Sequence, residues 1–77
     1  RVYLDVVAER FPDASSELLL DSRRATCAAL DVEATSDQWV RLVKAAIDKG
    51  IEAGDAGFLI GAQVRTGCPQ YMSVLPQ

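Results

Sequence analysis

Apolar residues at Leu4, Val7, Ala8 and Phe11 follow the i, i+3, i+4, i+7 spacing of a helix face, with Asp5, Glu9 and Arg10 turned elsewhere. Val2, Tyr3 and Val6 carry strand propensity, so a strand competes over the first few residues, and Pro12 ends the segment under either reading. Asp13 and the Ser15-Ser16 pair are N-cap residue types, and Glu17 then falls in a first turn where the helix dipole favours negative charge. A second helix is expected from Ser16 to Leu30, with an inward stripe of Leu20, Cys27 and Leu30. Leu18 and Leu19 make its first turn apolar all round. Thr35 and Gln38 form a T-x-x-Q capping box that starts a third helix at Ser36. Trp39, Val40, Val43, Ala46 and Ile47 form its apolar face, and Asp37, Arg41, Lys44 and Asp48 its polar one. Gly50 is placed to end it in the left-handed conformation, with Ile51 as the apolar contact of a Schellman motif.

The rest of the chain changes character. All five glycines lie between Gly50 and Gly67, and beyond Asp55 the single charged side chain is Arg65. From Asp55 to Thr66 the pattern of Phe58, Leu59, Ile60, Ala62 and Val64 is apolar on most sides, which suits a fourth helix packed between others. Gly57 and Gly61, four apart, are expected to admit a neighbouring backbone. Cys68-Pro69 ends this helix, leaving Gln70 to Gln77 as a tail. The expected fold class is all-α: a single helical domain over residues 1–71, a bundle of about four helices, and a C-terminal tail over 72–77.

Seventy-seven residues suit one small domain, and an apolar content of 49% argues against disorder. The absence of histidine removes Ser-His and Cys-His dyads and every zinc site built on imidazole. With eleven acids against eight bases and a net charge of −3, the chain lacks the basic footprint of a nucleic-acid binder. Its longest strongly apolar stretch, Ala56 to Ala62, is far short of the roughly 20 residues of a membrane-spanning helix. The chain begins at Arg1 rather than methionine, consistent with a processed product.

Cys27 and Cys68, 41 positions apart, match neither a C-x-x-C redox motif nor a zinc ligand pair. Two readings stay open: two buried thiols of a cytosolic protein, or one long-range disulfide of a secreted one. Small size favours the second, because a core of this size gives only a few kcal/mol and closing a loop of about 40 residues adds on the order of 4 kcal/mol. A bond would require the end of the fourth helix to lie against the later half of the second, with α-carbons within about 7 Å.

Candidate chemistry is sparse. Asp21-Ser22 has the Asp-Ser of a phosphopantetheine attachment site, but Ser22 is followed by Arg23-Arg24 and sits in mid-helix. Asp31 with Glu33, or Asp48 with Glu52, lacks the spacing and central glycine of a calcium loop. No catalytic residue, metal site or cofactor is assigned. The candidate interface residues are Arg23 and Arg24, a small basic point or a solvated face; Trp39, an interface anchor or a half-buried core residue; and Tyr71 and Met72, which cover the cysteine pair or stand exposed for a partner.

The sequence Cys27-Ala28-Ala29-Leu30, an amphipathic helix, and a glycine- and alanine-rich helix ending in Cys68-Pro69-Gln70-Tyr71 together resemble a family of small exported proteins of mycobacteria and their phages, catalogued as domain of unknown function seven-three-two. The resemblance covers roughly Tyr3 to Tyr71 and is most specific from Leu59 to Tyr71. Thr26, Gly67 and Glu52 depart from it, standing where an aliphatic residue, an aromatic residue and a serine or threonine cap are usual. It implies an all-helical domain, export through a signal peptide, and a Cys27–Cys68 disulfide. The functional expectation is a non-enzymatic, secreted or envelope-located module that binds another protein at the cell surface. Phage or prophage origin would suggest a role in excluding a second infection, and the alternative is a small carrier of an apolar ligand between helices.

Overall fold

The computed structural model describes residues 2–75, and the final residues of the expected tail, 76 and 77, lie outside them. The described residues form helices α1 (Val2–Arg10), α2 (Ser16–Val32), α3 (Ser36–Asp48) and α4 (Ala53–Gly67), followed by a 3-10 helix, Pro69–Val74. The fold is an all-α bundle about 30 × 25 × 21 Å across, stapled by the Cys27–Cys68 disulfide with α-carbons 5.9 Å apart.

Local chemistry explains most boundaries. The Ser15 hydroxyl accepts from the Leu18 amide at 3.1 Å to start α2, so Ser15, rather than Asp13, is the cap. Thr35 accepts from the Gln38 amide at 3.1 Å to start α3. The other arm of the capping box is not closed: the Gln38 side chain donates to the Ala29 carbonyl at 2.9 Å, tying α3 to the last turn of α2. At the far end Gly50 has φ +99°, its amide reaches the Ile47 carbonyl at 2.9 Å, and the Ile51 amide reaches Ala46 at 3.2 Å. These two bonds complete the expected Schellman motif, and Ile51 packs beside Leu59. Glu52 precedes α4 without a side-chain cap.

Helix α4 contacts every other element. On one side Leu59 joins Tyr3, Val7 and Leu19; on another, Val64 and Cys68 join Leu30, Val74 and Leu75. This placement accounts for burial of Ala56, Leu59, Ile60, Gly61, Gln63 and Val64 around α4, as its apolar composition implies. Arg10 bridges to Asp55 at 2.9 Å and lies 4.3 Å over the Phe58 ring, fastening α1 to the start of α4.

Several faces are rotated from the expected ones. In α1 the inward line is Tyr3 and Val7, with Leu4 and Phe11 half-buried and Ala8 exposed. In α2 it is Leu19, Thr26 and Leu30, while Leu20 and Cys27 sit at the edge. In α3 Ala46 is buried and Trp39, Leu42 and Val43 are half-buried, but Val40 and Ile47 remain 56% and 40% exposed. With the faces so rotated, Tyr3 and Thr26 both reach Gln63 of α4, and Gln38 ties α3 to α2.

Two further expectations are corrected. The close approach lies at Gly67 rather than Gly57 or Gly61: a β-carbon at Gly57 would meet nothing within 4 Å, whereas one at Gly67 would fall 2.8 Å from the Arg23 Cγ and Cδ. The described part of the expected tail, through Leu75, is folded: Pro69 opens the 3-10 helix, and Val74 and Leu75 are buried against Leu30 and Val64. Those apolar side chains cover core surface that α2 and α4 leave open beside the disulfide.

Candidate functional site

A buried polar cluster links α1, α2 and α4. Gln63 is fully buried; its amide nitrogen donates to the Tyr3 hydroxyl at 3.2 Å and the Ser22 hydroxyl at 2.9 Å, and its carbonyl oxygen accepts from Thr26. Tyr3 donates in turn to the Leu19 carbonyl at 2.7 Å. Arg23 lies 4.9 Å over the Tyr3 ring and donates to Thr66 at 3.1 Å. Every buried side-chain nitrogen and oxygen among the described residues is hydrogen-bonded, which makes the cluster a fastener. It also engages Ser22 as an acceptor from Gln63, while Asp21 pairs with Arg24. Neither has the setting of a carrier attachment site.

Burial pushes the Tyr3 phenol above its ordinary value near 10, with the Gln63 bond and the Arg23 charge opposing. Folding therefore holds this proton more tightly than the unfolded chain does. The associated stability is present in full below about pH 10 and lost as pH rises through the folded value. In a Tyr71→Phe variant, which leaves Tyr3 as the single tyrosine among the two present, tyrosinate absorbance is expected to rise at higher pH in native protein than in urea. Coincident titrations would contradict this. Glu33 is held below the usual carboxylate range, first by the Thr35 hydroxyl and then by Arg41. It lies at the surface beside the α3 cap, a structural setting.

Of the open concavities among the described residues, two bear on the candidate residues and the apolar surface. The first, about 360 Å³, lies over the disulfide between Arg23, Arg24, Cys27, Ala28 and Asp31 of α2 and Thr66 and Gly67 of α4. The second is a mostly apolar groove along α2, bounded by the α1–α2 loop and the α3–α4 turn at its wide end and by α3 at its narrow end, with α4 as its floor. Its larger chamber, about 390 Å³, is lined by Phe11, Ala14, Leu18, Leu19 and Ile51; a smaller one of about 150 Å³ extends to Leu42, Ala45 and Ala46. Both chambers share Ser22, Ala25, Lys49, Ile51 and Leu59, so they form one trough. Leu18 remains 61% exposed at its edge, and Lys49 is the trough's cation.

The candidate interface residues do not gather on one surface. Arg23 is committed to Tyr3 and Thr66, and Arg24 is exposed and paired with Asp21. Trp39 is half-buried, packs against the C-terminal core and lies 3.9 Å from a β-carbon built at Gly61. Tyr71 is half-buried and donates to Asp31, which raises its phenol above the ordinary range, while Met72 is exposed. The sequence does not reveal the groove because its walls come from segments far apart in the chain; its one sequence signal is the all-round apolar turn at Leu18-Leu19. Gln63 gave no signal, being one polar residue in an apolar run.

Among the described residues no three acidic or cysteine side chains come together as a cation site, and no helix is long and apolar enough to cross a membrane. Comparison of the chain with protein-family models, curated proteins and solved structures found no match.

Proposed function

We infer that the protein is a non-enzymatic, exported helical module that binds another protein at the cell surface through the groove along α2. The observation that carries this reading is the trough itself: apolar, open, floored by Leu59 and Ile60, and edged by exposed Leu18. Protein recognition concentrates its free energy where an apolar anchor fills such a pocket. Export is supported by the disulfide, which persists in oxidising compartments. The resemblance to exported mycobacterial and phage proteins gives the reading a specific form, an envelope protein that blocks a second infection. A carrier of an apolar ligand is the second reading, favoured by a chamber whose 390 Å³ falls within the size range of small-molecule sites.

A photocrosslinking residue placed at Leu18 in the native host is expected to give one discrete protein adduct, and the same residue at exposed Glu9 of α1 none. The adducted protein, once purified, should bind the wild-type domain and lose at least roughly tenfold in affinity for Ala25→Glu, which puts a charge inside the trough. Equal labelling from both positions, or an unchanged affinity, would overturn the reading. A small apolar molecule retained in native mass spectra of the wild type but not of Ala25→Glu would favour the carrier.

A further inference from the structure

We propose that Cys27 is a thiol-modification site: its Sγ is the end of the disulfide at which a low-molecular-weight thiolate enters, forming a mixed disulfide while Cys68 departs. The two sulfurs differ sharply in access. Cys68 is 2% exposed within the cluster of Leu30, Val64, Val74 and Leu75, whereas Cys27 is half-buried and lines the open 360 Å³ cleft. Gly67 adds no side chain of its own to that approach: a β-carbon there would stand 3.1 Å from the Cys27 Sγ and 2.8 Å from the stem of Arg23, which borders the opening. Arg23 and Arg24 face the cleft against a single carboxylate, Asp31, although Arg24 also pairs with Asp21. The two guanidiniums and the two carboxylates balance, so access rather than charge selects the sulfur that is attacked. Which sulfur is attacked, and how easily it is reached, governs thiol–disulfide exchange.

The step is balanced without another reagent. The incoming thiolate forms a bond to the Cys27 Sγ as the Cys27–Cys68 bond breaks; the electron pair goes to the Cys68 Sγ, which takes a proton from water. One disulfide is consumed and one is made. This proposal is independent of what the groove along α2 binds.

The test uses the native, oxidised protein and 2-mercaptoethanesulfonate as the thiol. After brief exposure the reaction is quenched with acid, and the protein is denatured and its free thiols blocked with N-ethylmaleimide at mildly acidic pH. Trypsin then separates the two positions cleanly, because Cys27 lies in Ala25–Arg41 and Cys68 in Thr66–Gln77. The adduct is expected on Ala25–Arg41, and the maleimide on Thr66–Gln77, in at least roughly tenfold excess over the reverse. The same reaction in urea should give comparable amounts of both, showing that the fold directs the attack. An even split in native protein, a preference for Cys68, or no adduct under conditions that modify the urea-unfolded chain would each overturn the proposal.

Discussion

Replacing both Cys27 and Cys68 with alanine is expected to lower the unfolding free energy by about 4 kcal/mol, the chain-entropy value for opening a loop that spans a separation of 41 residues. At roughly 0.05–0.15 kcal/mol per residue, a domain of this size has only about 4–12 kcal/mol to lose. The variant should therefore sit at the edge of folding at physiological temperature. In a chain this short each kcal/mol moves the midpoint by about 4–8 °C, so a fall of at least 15 °C in Tm is expected by circular dichroism. Reduction of the wild type should reproduce most of the fall, and the urea m-value should rise as the unfolded chain expands. The structure adds a local consequence. Cys68 joins the end of α4 to the 3-10 helix that carries Val74 and Leu75 over Leu30 and Val64, so the amides of Tyr71 and Leu75, hydrogen-bonded there, should lose exchange protection before those of α3. A loss below about 1 kcal/mol would mean that apolar docking holds this corner without the bond.

The parts of this fold legible in the sequence are those set by neighbours along the chain. Thr35 and Gly50 delimit α3 because a cap and a Schellman turn are closed by bonds spanning three to five residues. The apolar run of α4 announced a central helix for a similar reason: its composition needs no knowledge of the partner. Helix rotation was different. Short helices with broad apolar stripes leave the inward direction open, and here it is set by contacts between residues far apart, Tyr3 with Gln63 and Thr26 with Gln63. The 3-10 helix escaped notice because six residues with a three-residue period leave no sustained hydrophobic pattern, and Val74 and Leu75 acquire meaning only against Leu30 and Val64. The same limit applies to the candidate site. For Arg23 the sequence leaves open a basic docking point or a solvated face, and for Tyr71 a cover over the cysteine pair or an exposed contact; in the fold each hydrogen-bonds a residue at least 40 positions away. The groove, in turn, exists only where Phe11, Leu18, Ile51 and Leu59 come together from four separate segments.

Gln63 provides the second large effect. Gln63→Ala is expected to cost about 3–5 kcal/mol, because it leaves a cavity beneath α1 and strips the buried Thr26 hydroxyl of its acceptor, while Ser22, at the trough, loses its donor. Gln63→Leu keeps the volume and should cost less, about 1–3 kcal/mol, since the unpaired hydroxyls remain. Thr26→Val alone strands the Gln63 carbonyl oxygen and should cost a similar amount. Combining Gln63→Leu with Thr26→Val removes both ends of one buried bond and leaves a methyl-lined contact of nearly the same size. The double variant should therefore be more stable than the sum of the two losses implies, by at least about 1 kcal/mol. Urea denaturation of the four proteins in this cycle, followed by far-ultraviolet circular dichroism with the disulfide intact, measures that coupling directly. A purely additive result would show that the Thr26–Gln63 bond carries no coupling of its own, leaving Gln63 to act through its volume and its bonds to Tyr3 and Ser22. The rotation of α2 would then rest on the Ser22 bond and on apolar packing at Leu19 and Leu30.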